Sequence, residues 1–152
     1  AKWLLTRRNG KGGFLRNPKA LDSFGSAPED VTNAYITWAL SESGQEGIEA
    51  EIDHIGKVAT NSDDPYVIAL AAQAAFNAEK KNSGRELLGK LAKLQKEDGQ
   101  LVGTNGSITR SGGQSLAVET KTVLMMLSKC VVPSLTAVDI KFRKSSNVGK
   151  SF

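Results

Sequence analysis

The stretch NSDDPYVIALAAQAAFNAE, residues 61–79, decides the fold class. Asn61-Ser62-Asp63-Asp64 supplies side chains that cap a helix, and Pro65 suits a first turn, where its missing N–H costs nothing. From Tyr66 to about Glu79 the residues are rich in Ala and apolar on most sides, so the segment predicts a buried inner helix. Its neighbours have one apolar face instead. Ile48, Ile52, Ile55 and Ala59 line one face of 46–59, with Glu49, Glu51, Asp53 and Lys57 elsewhere, as on an amphipathic helix lying at a surface. Leu87, Leu88, Leu91 and Leu94 stripe 83–96, which stops at Glu97-Asp98-Gly99. Outer helix, inner helix and loop follow one another.

The same alternation extends both ways. Val31, Tyr35, Trp38 and Ala39 recur at helical spacing from about Glu29 to Ser43, with Glu29 and Asp30 in the first turn and Gly44 as the stop. Helix returns at 115–130 after a glycine-containing loop over 100–113. At the start, Trp3 to Arg8 reads as the end of a helix entered in mid-course. It breaks at Asn9-Gly10, and the loop Asn9-Gly10-Lys11-Gly12-Gly13-Phe14 follows. In the tail, Val138, Ile140 and Phe142 fit a strand, whereas Leu135, Val138 and Phe142 fit a helix; the helical neighbours favour the helix.

Composition narrows the function. The chain has 152 residues, the size of one domain. No apolar run approaches the roughly 20 residues of a membrane span, so none is expected. The net charge is +4, with basic ends and a middle that carries eleven acids between residues 21 and 80. Nucleic-acid binders gather their bases on a stripe with interleaved aromatics, and that pattern is incomplete here, so no nucleic-acid partner is expected. Cys130 is the single cysteine, which excludes an internal disulfide and a multi-thiolate zinc site. No signal peptide is visible.

The loops repeat. Residues 9–14 precede the apolar helix around Asn33–Leu40, and Gln95–Gln100 precedes Glu119–Leu127 in the same way, about 88 residues apart. Residues 146–152 resemble a third such loop. Helical hairpins with glycine-rich turns and apolar inner helices build an α/α toroid, one ring of helices inside another. The fold expected is therefore all-α, a single partial toroid over residues 1–152 amounting to about half a ring.

Particular residues carry a resemblance. Gly12-Gly13-Phe14, Ala20-Leu21-Asp22-Ser23-Phe24-Gly25, Ala27-Pro28, Thr32-Asn33-Ala34-Tyr35 and Trp38-Ala39-Leu40 resemble the thioester-containing domain of the α2-macroglobulin and complement family, in its bacterial-type members. Leu94-Gln95-Lys96-Glu97-Asp98-Gly99 and Ser115-Leu116-Ala117-Val118-Glu119-Thr120 look like that domain's next loop and inner helix. The similarity spans roughly residues 1–130. A Gln-x-x-Asp-Gly pattern also occurs in terpenoid-cyclase-like enzymes of the same architecture. The resemblance implies an extracellular or periplasmic parent that traps or inhibits proteases through a Cys-Gly-Glu-Gln thioester. This chain lacks that motif. Cys130 lies in Lys129-Cys130-Val131-Val132, with no Gln three residues on, so it cannot form the bond and reads as a small buried hydrophobe. The resemblance leads us to expect the motif upstream of Ala1. The family's acyl-transfer His is also missing from Thr104–Ser111, a departure that favours amine acceptors.

The resemblance makes the chain a non-enzymatic piece of such a domain. Its partners are the remaining domains of the parent and, through the parent, a protease; no catalytic, cofactor or metal residue is assigned. An alternative is a stand-alone toroid enzyme acting on glycans through carboxylates, with Asp22, Asp63, Asp64, Asp98 and Glu119 near loops; another is a helical-repeat protein-binding scaffold. Such acids also cap helices. His54, the sole histidine, reads as a helix-face residue without a second ligand. Gly149-Lys150-Ser151 fails as a phosphate loop because Lys144 stands where the first glycine belongs. Asn105-Gly106-Ser107 is a glycosylation sequon. A half ring exposes apolar edges, so self-association or marginal stability of the isolated chain is expected.

Overall fold

In the computed structural model the described residues are 1–16, 27–97, 99–103, 106–109, 112–113, 115–120 and 122–123. They hold helices α1 (Lys2–Thr6), α2 (Glu29–Glu42), α3 (Glu49–Asn61), α4 (Pro65–Asn77) and α5 (Lys81–Leu94), with further helical backbone at 115–120. Among the described residues there is no strand; Arg8 and Phe14 form one isolated antiparallel bridge. No described helix is long and apolar enough to cross a membrane. Both readings of the tail, and the helix expected to continue to Cys130, fall outside the described residues.

Helix α4 is the inner helix that its composition predicts. Every residue from Pro65 to Phe76 is buried. Asp64 caps it, accepting from the Tyr66 N–H at 3.0 Å, and Pro65 occupies the first turn. A helix apolar on all sides needs neighbours on all sides, and α4 packs against α2, α3 and α5. Helix α2 also touches α3, and α3 touches α5. The contacts thus join each helix to the next and to the next but one, placing α2 beside α4 and α3 beside α5 in two alternating layers.

Helices α2 and α4 end in the same way. After α2, Gly44 N–H donates to Ser41 O and Gln45 N–H to Leu40 O, each at 3.0 Å, a paired closure that satisfies the last carbonyls. After α4, Glu79 N–H donates to Phe76 O at 3.0 Å and Lys80 N–H to Ala75 O at 2.8 Å. Glu79 takes the left-handed conformation there, φ 58°, so α4 stops at Asn77, short of the Glu79 end that its apolar pattern suggests. α3 likewise starts at Glu49 rather than Glu46. Gly47 is left-handed, φ 71°, and its carbonyl is held by the Arg8 guanidinium at 2.5 Å.

The main core joins α2, α3, α4 and α5 to Leu101, Ile108, Leu116 and Val123. A second cluster of Phe14, Leu40, Ile48 and Ile52 receives Leu4 and Leu5 of α1. The close approach of α4 and α5 requires Gly84, where a Cβ would stand 2.7 Å from the Phe76 ring.

Candidate functional site

Two loops close onto the ends of these helices, and together they gather most of the polar chemistry. The first follows α1. Asn9 N–H donates to Gly13 O at 2.9 Å, while Asn9 Oδ1 accepts from the N–H groups of Lys11 and Gly13 at 2.8 and 3.0 Å. Phe14 N–H is taken by Asn33 Oδ1 on α2 at 3.1 Å. Gly12 has φ 83° and lies so close to α3 that a Cβ would be 2.6 Å from the His54 Cβ and 2.8 Å from Ala50 O. The Arg8 Nε stands 2.9 Å from Glu51 Oε1. Glu51 is buried, a correction to its expected place on an exposed face of α3, and Arg8 balances its charge.

The second loop follows α5 and repeats the first. Lys96 N–H donates to Gln100 O at 2.9 Å, and Gly99 has φ 81°. Asn9 matches Lys96, Gly12 matches Gly99, buried Phe14 matches buried Leu101, and exposed Leu15 matches exposed Val102. The repeat is in register at 87 residues, one residue tighter than the sequence pattern suggests.

Beyond Leu101 the second loop crosses the N-terminal end of α4, where two of the five singled-out carboxylates act on one phenol. Tyr66 is buried. Burial pushes its phenol up from the ordinary tyrosine value, and Glu119, Tyr35 and Asp64 act in the same direction against a main-chain hydrogen bond at Ile108. Glu119 accepts from Thr109 Oγ1 at 2.8 Å, and the Ser107 and Thr109 hydroxyls are 2.8 Å apart. Asp64 is buried; its Oδ1 caps α4 while Oδ2 has no partner among the described residues. Asp63 is exposed, 3.8 Å from Lys90 Nζ.

The phenol is thus held neutral under a closed loop. Tyr66, Asp64, Ser107 and Ile108 are all buried, so the cluster fastens the loop to α4. A groove of about 260 Å³ lies between α3 and α5, with Ile52, Asp53, Gly56, Lys57, Lys80 and Ser83 among its lining. Lys80 pairs with Asp53 there.

The other candidates separate. His54 is half-buried beneath Gly12, not on an open helix face. Asp22, Asp98, Cys130, Asn105 and Gly149-Lys150-Ser151 lie outside the described residues. Ser107 of the sequon is buried. Among the described residues no group of three or more His, Cys, Asp or Glu side chains is arranged to hold a metal. Tyr66 and Tyr35, which sequence reading left as core residues, meet each other and Glu119 only through tertiary packing, whereas Asp64 lies two residues before Tyr66. No family model, curated protein or solved structure matches the chain.

Proposed function

We propose that this chain is a non-enzymatic part of an α2-macroglobulin-like thioester domain, about half of an α/α toroid in a secreted or periplasmic parent that traps proteases. The observation that carries the reading is the recurrence of one loop at 87 residues, with the same glycine conformation and the same buried-then-exposed apolar pair. Alternating layers with α4 inside support it, because a toroid repeats that hairpin around a ring. The exposed apolar residues Trp3 and Leu15, and Val102 and Val118, flank the two loops, where neighbouring parts of the parent would pack. The role is to complete the ring around an upstream thioester.

The test uses the parent, expressed with its upstream coding region, beside the chain alone. The expected result is that the parent takes up a small amine at its thioester and lets a captured protease cleave small peptides but not proteins, while the chain alone does neither. A parent with no amine uptake and no effect on proteases would overturn the proposal. The glycan-enzyme reading has one observation in its favour, the convergence of Asp64 and Glu119 on Tyr66. Glycan cleavage by the chain alone, lost in Asp64→Asn or Glu119→Gln, would establish it instead.

A further inference from the structure

The polar side chains between α2 and α4 fall on two levels. At the upper level Asn77 Nδ2 donates to Ser41 Oγ at 3.2 Å and to Glu42 Oε2 at 2.8 Å. Residues four apart share a helix face. One turn lower, Gln73 therefore stands below Asn77, Thr37 below Ser41 and Trp38 below Glu42. The upper set lies at the surface, where water completes its bonding. The lower set is enclosed, with Thr37 fully buried and Gln73 1% exposed. Gln73 Oε1, Thr37 Oγ1 and Trp38 Nε1 are all buried, and none has a hydrogen-bond partner among the described residues.

Their chemistry is complementary. The Trp38 indole N–H can only donate, the Gln73 carbonyl oxygen can only accept, and the Thr37 hydroxyl can do either. Buried polar atoms left without partners carry their full desolvation cost, so native proteins rarely keep them that way. The trio brings no formal charge that would hold an ion.

We infer that the α2–α4 seam binds an ordered water molecule. The water accepts from Trp38 Nε1–H, bonds with Thr37 Oγ1 and donates to Gln73 Oε1, which gives it the three bonds typical of a buried water. It fixes the register of the two inner-layer helices, since a slip of one turn would carry Gln73 up to Ser41 and strand the indole N–H.

The experiment is water-to-protein cross-relaxation on the full chain labelled with ¹⁵N, read at the two indole N–H groups, with the exposed Trp3 as internal control. The expected result is a long-lived water contact at Trp38 and none at Trp3. In parallel, Gln73→Met should lower Tm by about 4 °C, and adding Thr37→Val should lower it by less than the sum of the two single changes, because both residues hold the same water. Absence of the long-lived contact at Trp38 in the unmodified chain would overturn the inference without any variant. An unchanged or raised Tm in Gln73→Met, the result expected when an unpaired amide leaves a dry seam, would overturn it too.

Discussion

The loop after α1 and the loop after α5 share a closing hydrogen bond and one left-handed glycine but are fastened by different chemistry. The first is held by charge and contact: Arg8 reaches Gly47 O and the buried Glu51, and Gly12 presses on His54. The second is held through neutral or hydroxyl donors, with Thr109 on Glu119 and Ile108 against the Tyr66 phenol. A repeated hairpin thus preserves the turn and its buried anchor, Phe14 or Leu101, and leaves the fastening free to vary. The turn sets the path of the chain into the next helix; any partner that satisfies the loop's polar groups can hold it there.

The largest expected difference is at the paired glycines. Gly12→Ala meets both a left-handed backbone and the unyielding Ala50 carbonyl at 2.8 Å, and should cost about 3 kcal/mol in chemical denaturation. Gly99→Ala carries the same left-handed backbone strain, which by itself costs about 1 kcal/mol. Equal losses at the two sites would break the distinction between the loops.

Arg8→Met comes next. It leaves Glu51, whose side chain is 5% exposed, without its cation, and should cost about 2 kcal/mol, less than a fully buried pair because the guanidinium is partly solvated. The second loop responds instead to alkaline pH. Tyr66 keeps its proton in the folded state after the unfolded chain has lost it. Its contribution is therefore intact below about pH 10 and falls by about 1.4 kcal/mol per pH unit above that. Tyr66→Phe should flatten that part of the stability profile, measured by denaturation at pH 9, 10 and 11, whereas Arg8→Met should leave it in place. Thr109→Val is the smallest change. It removes the exposed hydrogen bond to Glu119 and the one shared with the Ser107 hydroxyl, should cost about 0.5 kcal/mol, and should raise amide exchange across 106–109 without affecting 9–14.

The repeat that makes this comparison possible was legible in the sequence as two glycine-bearing loops before apolar helices. So were α2, α4 and the alternation of buried and amphipathic helices, because each depends on local caps and periodicity. Other features depend on distant partners and were not legible. Glu51 reads as a solvent-facing acid on α3 until Arg8, 43 residues earlier, folds over it. Asp64 and Glu119 read as separate helix-end acids: Asp64 lies two residues before Tyr66 as the cap of its helix, but nothing local indicates that Glu119 is brought to the same phenol. The end of α4 was missed by two residues because Glu79 takes a left-handed conformation that glycine usually fills.

The proposed origin of the repeat, a ring continued by sequence before Ala1, is tested most directly by reading the coding sequence immediately upstream over the length of half a ring. The account predicts a Cys-Gly-Glu-Gln motif within further helical hairpins. A start codon at Ala1, or upstream sequence with neither the motif nor the hairpins, would contradict it.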